Sequence, residues 1–209
     1  MKILFYGDSI TDAGRARDVL TANSSFGNGY VTQIIARLYD RNFDKYEFVN
    51  TGISGNRIVD LYARVKVDLW NHEPDLISIM IGINDIWHEI GNRNGVDLPR
   101  FEKVYRMLIE DTKAVLPNAK FILCEPFVLD GSATHAAFDR FTEVYEYANC
   151  VKRLAEEYDL YFLPLQQALT DAGEKYGNAA ILNDGVHPTI KGAAVIAKEW
   201  VKFFDTIEN

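Results

Sequence analysis

Residues 2–11, KILFYGDSIT, constrain this chain more than any other stretch. Ile3-Leu4-Phe5-Tyr6 is a short apolar run of strand formers. Gly7 breaks it, and Asp8-Ser9 carry the polarity of a turn or a helix start. A strand that passes through glycine into a helix delivers its next side chain to the carboxyl edge of a sheet. Open α/β sheets place their active sites at that edge. A serine there has its hydroxyl near a helix N-terminus, whose free N–H groups favour negative charge. That suits a nucleophile whose reaction builds an oxyanion. Taken alone, Gly-Asp-Ser reads more simply as an N-cap, so the rest of the chain decides.

The rest alternates strands with helices. Residues 13–29 form a polar connection that carries Arg15 and Arg17 close behind the serine. Residues 30–39 have Ile34, Ile35 and Leu38 spaced for one buried helix face. Residues 46–50 make a second strand that ends in Thr51-Gly52-Ile53-Ser54-Gly55-Asn56. Two glycines there imply tight backbone and free N–H groups. A helix over 58–72 buries Leu61, Val65 and Leu69. The apolar run 76–81 has the character of a strand covered on both faces. It ends at Gly82-Ile83-Asn84-Asp85, and a polar loop follows over 88–98. Pro99 opens a helix to residue 116, with Val104, Leu108 and Val115 inward. Residues 119–124 are a fourth strand, 125–139 a long loop, 141–158 a helix and 160–164 a fifth strand. A last helix over 188–204 repeats Ile190, Ala193, Ala194, Ala197, Trp200, Val201 and Phe204 at helical spacing.

Such alternation builds right-handed βαβ units and a parallel sheet. Five strands predict an α/β fold, a three-layer α/β/α sandwich with strand order 2-1-3-4-5. At 209 residues, with no internal repeat or linker, residues 1–209 read as one domain.

Charge narrows the partners. Lys and Arg number 22 against 30 Asp and Glu, a net −8. That balance argues against nucleic acid and against anionic membrane. No apolar stretch approaches the ~20 residues of a membrane span, and the first apolar run is too short for a signal peptide. The two cysteines, Cys124 and Cys150, read as free buried thiols, which predicts a cytoplasmic home. A monomer and a homo-oligomer both stay open.

Each of the first three strands ends in a glycine-containing polar loop. These present Ser9, the Gly55 backbone with Asn56, and Asn84 with Asp85, all on one edge of a parallel sheet. The fourth group is Asp184-Gly185-Val186-His187-Pro188, just before the last helix. Together they supply a nucleophile, a base and a carboxylate to hold the base.

These four stretches, in this order, resemble the four blocks of the SGNH (GDSL-type) hydrolases, a family of serine esterases and lipases. Gly7-Asp8-Ser9-Ile10 stands for the first block, with Ile in place of Leu. Gly55 matches the glycine of the second. Gly82-Ile83-Asn84-Asp85 matches the third unchanged, and Asp184-Gly185-Val186-His187 the fourth. More narrowly, GDSITDAGRAR, GISGN, IGINDIW and DGVHP are similar to a branch of intracellular carbohydrate acetylesterases active on acetylated xylo-oligosaccharides. The resemblance implies a flavodoxin-like fold and an acyl-enzyme mechanism. Ser9 is then the nucleophile, His187 the base and Asp184 its orienting group. The Ser9 and Gly55 N–H groups and the Asn84 amide would meet the oxyanion. It calls for no cofactor and no metal. The implied partner is a small acetylated sugar or another short acyl ester. Trp87 is a candidate platform for a sugar face, or a core or rim aromatic. Arg15 and Arg17 are candidates for substrate hydroxyls or carboxylates, and equally for ion pairs with nearby acids.

Competing readings fit less well. A P-loop has four residues between its glycines and ends in Lys; here six separate Gly7 from Gly14, and Arg15 follows. A metallohydrolase built on Asp184 and His187 lacks a second ligand motif. A binding module has no need of Ser, Asp and His together. Within esterases the alternative is a short-chain lipase or lysophospholipase, which needs a broad apolar acyl groove that the sequence does not obviously supply. His72, His88 and His135 read as surface or loop residues, Asp8 as a turn-shaping residue and Asp85 as a cap for the next turn.

Overall fold

Strand β3 (Leu76–Met80) is buried at every position, so both faces of the sheet must be covered. The computed structural model, which describes residues 1–18 and 23–208, shows how. Strands β1 (Lys2–Gly7), β2 (Glu47–Asn50), β4 (Lys120–Cys124) and β5 (Tyr161–Leu163) join β3 in one sheet, ordered β2-β1-β3-β4-β5. Every pairing is parallel. This is the expected order. Gly7 lies opposite Met80, and Met80 opposite Cys124. The loops after β1 and β3 therefore leave the sheet side by side.

The helices are α1 (Ser9–Asp12), α2 (Tyr30–Tyr39), α3 (Ile58–Ala63), α4 (Val65–Asp68), α5 (Ile83–Asn92) and α6 (Leu98–Val115). After β4 come α7 (Phe138–Phe141), α8 (Val144–Glu157), α9 (Gln166–Tyr176), α10 (Asn178–Ile181) and α11 (Ile190–Glu208). Helix α11 packs on α2 and α9, whereas α6 packs on α3 and α8. The two sets cover opposite faces, giving the three layers. The α2 stripe Tyr30, Val31, Ile34, Ile35 and Leu38 is buried. So is the α11 stripe from Ala193 to Phe204. Trp200 stacks on Phe204 at 5.1 Å and meets Phe5 at 5.5 Å. Its indole N–H donates to Ser78 Oγ in the middle of β3, 3.0 Å away, so the one polar side chain of that strand is satisfied.

Several expectations are corrected. The helix expected over 58–72 breaks after Ala63 and again after Asp68, and ends as a 3-10 turn over Trp70–His72. Its apolar stripe survives, with Leu61, Val65 and Leu69 all buried. The polar loop expected over 88–98 is half helix, because α5 continues to Asn92. Helices α9 and α10 were not expected. Val115 and Ile190 lie at helix ends and face solvent rather than the core. The expected polar connection 13–29 falls partly outside the described residues. Cys124 and Cys150 are free and buried. No described helix is long and apolar enough to cross a membrane.

Candidate active site

Ser9 is the first residue of α1, and Asp8 is its N-cap. Asp8 Oδ1 accepts the Ile10 N–H at 2.9 Å, which fixes the turn beneath the serine. The helix is a single turn. Ser9 therefore gains a free N–H rather than the dipole of a long helix.

The chain brings His187 to this serine from the other end of the sequence. Asp184 Oδ1 accepts the N–H groups of Val186 at 2.9 Å and His187 at 2.8 Å, closing the loop on itself. Its Oδ2 accepts from His187 Nδ1–H at 2.7 Å. A carboxylate only accepts, so the proton is assigned to Nδ1, and Nε2 is left to accept from Ser9 Oγ–H at 2.8 Å. Desolvation pushes the Asp184 carboxyl up, but the His187 and Val186 donors outweigh it and hold the group below the ordinary carboxylate value. Asp184 is thus ionised at neutral pH and suited to a charged imidazole.

Residues 125–139 dock on this loop. The Leu129 N–H donates to Gly185 O and the Ala133 N–H to Asp184 O, each at 2.9 Å. Gly185 has φ +102, and a Cβ there would strike Thr134 and the Leu129 carbonyl. The glycine allows both the turn and the close approach. Thr134, fully buried, donates its hydroxyl to Leu129 O at 2.8 Å and accepts the Gly131 N–H at 2.9 Å. His135, expected in a solvated loop, is exposed and pairs with Asp130.

The other wall is the loop after β2. Gly55 has φ +80, and a Cβ there would meet nothing within 4 Å; the need is for left-handed backbone. Neither the Ser9 nor the Gly55 N–H has an acceptor among the described residues. Asn84, at the start of α5, gives one of its two Nδ2 hydrogens to Asn56 O at 3.1 Å, and the other has no acceptor among the described residues. Asp85 accepts the Ile58 N–H at 3.1 Å, so it caps α3 rather than the turn that follows it in sequence. Burial pushes its carboxyl well up.

Ser9, Ser54, Gly55, Asn84, Trp87, His88, Gly91, Asn92 and His187 line an open cleft of about 430 Å³. Asp184 stands behind His187. The Trp87 ring lies 5.8 Å from the His187 ring and 5.7 Å from Phe141, so it is a cleft-rim aromatic that also buttresses the histidine. Arg15 and Arg17 are not part of this wall. Arg15 Nε donates to Gly52 O at 2.8 Å. Arg17 pairs with Asp12 at 2.7 Å. Asp12 Oδ2 also takes both the N–H and the hydroxyl of Ser54, each at 2.9 Å. Arg17 thus makes the expected ion pair with a nearby acid, and Arg15 braces the loop after β2. His88, expected on the surface, lines the cleft. The signal for it was the helical spacing of Ile83, Ile86, Trp87 and Ile90, which carries α5 past Asn84.

A half-buried carboxylate, an imidazole and a hydroxyl in series, facing two free N–H groups and an amide, can perform acyl transfer. The comparisons with known proteins agree. The model of the GDSL-like lipase/acylhydrolase family matches residues 5–195. An acetylxylan esterase of Geobacillus stearothermophilus is 35% identical over 207 residues, 96% of this chain and 92% of the relative. The crystal structure of Axe2, an acetylxylan esterase from Geobacillus stearothermophilus, superposes with a TM-score of 0.86 at 33% identity, covering 97% of this chain and 93% of that one. A GDSL-like lipase from Parabacteroides merdae superposes with a TM-score of 0.90 at 34% identity over 97% and 94%. Catalytic mutants of Axe2 have been solved at a serine, an aspartate and a histidine, the last two separated by the same interval as Asp184 and His187. By sequence along nearly its whole length and by fold, this chain belongs to the GDSL-like lipase/acylhydrolase family and is an ester hydrolase.

Proposed function

We propose that this protein removes acetyl groups from small O-acetylated carbohydrates, such as xylo-oligosaccharides, through an acyl-enzyme intermediate. The observation that carries the reading is the Ser9–His187–Asp184 hydrogen-bonded series opening onto a polar cleft. The likeness to acetylxylan esterases supports the choice of substrate. Ser9 Oγ attacks the ester carbonyl carbon as its proton passes to His187 Nε2. Asp184 holds the imidazole in the right tautomer and stabilises its charged form. The Ser9 and Gly55 N–H groups and the free Asn84 hydrogen receive the oxyanion. When the intermediate collapses, His187 returns the proton to the departing sugar oxygen. Water, deprotonated by His187, then attacks the acetyl-serine, and acetate leaves.

The alternative of a short-chain lipase or lysophospholipase is disfavoured by the lining of the cleft. Among the described residues Trp87 is its single large apolar side chain; Ser54, Asn84, His88 and Asn92 are polar. Burying an acyl chain against them leaves polar groups unpaired, at a cost of roughly 1–3 kcal/mol each. The two free buried thiols and the acidic balance fit a cytoplasmic enzyme acting on small molecules. The test is a hydrolysis panel of acetyl, butyryl and octanoyl aryl esters beside acetylated xylobiose. Fast turnover of the acetyl ester and the sugar supports the reading. A preference for octanoyl over acetyl moves the protein to the lipase class.

A further inference from the structure

Helix α5 starts with Asn84 at the base of the cleft and then climbs its wall. Four of its later residues, Trp87, His88, Gly91 and Asn92, line the same cleft as Ser9. Helical spacing sets Gly91 one turn beyond Trp87, and Asn92 one turn beyond His88. Two rows therefore run outward from the reactive serine. One is an aromatic ring followed by a gap. The other is an imidazole followed by an amide.

The polar groups of this wall are unspent. The Trp87 indole N–H, the His88 ring nitrogens and the Asn92 amide make no hydrogen bond to any described residue. Arg15 and Arg17, by contrast, are engaged with the loop after β2 and with Asp12. Burial and the nearby Arg57 charge hold His88 below the usual histidine value. It is neutral at pH 7, with one ring nitrogen donating and the other accepting. A sugar hydroxyl, which does both, is a chemical match.

Gly91 is the second observation. It lies inside α5, where glycine costs roughly 0.5–1 kcal/mol relative to alanine. Its backbone is not left-handed, and a Cβ there would meet nothing within 4 Å. Neither crowding nor backbone geometry asks for glycine. A side chain at this position would take space from the cleft.

We propose that this face of α5 is the subsite for the alcohol part of the ester. The pyranose next to the scissile acetyl packs over Trp87 and the gap at Gly91, and its hydroxyls bond to His88 and Asn92. A sugar has an apolar face with a hydroxyl rim, and the paired rows of α5 have the complementary pattern. This deepens the function proposed above and rests on it.

The experiment measures kcat/KM on acetylated xylobiose and on a small aryl acetate for wild type, Gly91→Leu, His88→Ala and Asn92→Ala. Leucine is a good helix former, so Gly91→Leu fills the gap without opposing the helix. We expect the sugar-to-aryl ratio to fall by about tenfold or more in Gly91→Leu. In His88→Ala and Asn92→Ala it should fall by roughly three- to tenfold, mainly through KM. Deacetylated xylobiose should inhibit aryl acetate hydrolysis competitively, and more weakly in all three variants. Circular dichroism checks the fold, and the two alanine variants carry the test if Gly91→Leu does not fold. Equal losses on both substrates in a wild type that cleaves the sugar would overturn the subsite alone. A wild type that turns over the aryl acetate and ignores acetylated xylobiose would overturn the functional reading and the subsite together.

Discussion

Arg64 donates from Nη2 to the carbonyl oxygen of Gly7, 3.0 Å away, although 57 residues separate them in sequence. The same guanidinium gives Nη1 to Thr51 O at 2.7 Å and Nε to Asn56 Oδ1 at 2.7 Å. It lies 4.5 Å from the centroid of the Tyr6 ring and pairs with Asp68 at 2.8 Å. One planar cation thus ties the end of β1 to the end of β2 and to the residue after Gly55. Asn84 bonds the carbonyl of that same residue. Arg64 sits where it can hold the three proposed oxyanion donors in register.

Arg64 is therefore expected to act as a positioning residue. Arg64→Lys keeps the charge but not the fork of donors. It should lower kcat by roughly ten- to a hundredfold, the scale of one or two lost charge-assisted hydrogen bonds. KM should stay close to wild type, because the oxyanion exists only beyond the ground state. Added guanidinium should restore part of the kcat of Arg64→Ala. A change in KM alone, with no rescue, would leave Arg64 a purely structural residue.

Ser9→Ala and His187→Ala should each lower kcat by about a million-fold, with melting temperatures near wild type. Asp184→Asn should cost less, since the carboxylate orients and stabilises the base without taking its proton. Steady-state assays on an aryl acetate separate these cases. More than a few per cent activity in Ser9→Ala would sink the assignment of the nucleophile.

Asn84→Ala removes a donor that is already aimed by its bond to Asn56 O. Loss of one such donor typically costs about 10²–10³ in kcat. Asn84→Asp should be worse, because a carboxylate repels the oxyanion. The reading of Asn84 fails if both variants keep their kcat.

Asp8 governs a pH dependence of stability. It is wholly buried, and its Oδ2 has no hydrogen-bond partner among the described residues. Burial pushes its carboxyl up to about 7, against the pull of the Ile10 N–H and the His187 charge, with Asp12 adding a smaller push upward. In the unfolded chain it ionises near ~3.9. The native state thus holds a proton that the unfolded state has released across this window. The stability tied to that proton is complete below the window and is lost as pH rises through about 7. Asp8→Asn keeps an acceptor for Ile10 and removes the charge. Relative to wild type it should gain more stability at pH 8.5 than at pH 5. Each 1 kcal/mol moves Tm by roughly 2–4 °C in a chain of this size. A Tm difference that is the same at both pH values would contradict a raised Asp8.

Much of this was legible in the sequence because it was local. Gly7-Asp8-Ser9 after four strand formers located the edge of the sheet. Asp184 and His187, three apart, declared their own loop. The apolar run of residues 76–81 marked a strand buried on both faces, and hence the layers. What was hidden depended on partners distant in sequence. Nothing in Gly14-Arg15-Ala16-Arg17 says that Asp12 and Gly52 O already occupy those arginines. Nothing in residues 58–72 says that Arg64 serves the ends of two strands at the point where the helix breaks. Helix α5 was lost for another reason. Gly82-Ile83-Asn84-Asp85 has the composition of a turn, and that masked the apolar spacing running through it. In α9 only Leu169 and Gly173 are buried, too thin a stripe for periodicity to register.

The hydrogen bond between Ser9 and His187 spans 178 positions of sequence. In synthesis the serine precedes the histidine, which follows only after all five strands have been made. A nascent chain or a proteolytic fragment that stops short of residue 187 carries the hydroxyl without its proposed base. On the proposed mechanism hydrolytic power waits for a loop that follows the whole sheet, so enzyme activity doubles as a readout of completed folding.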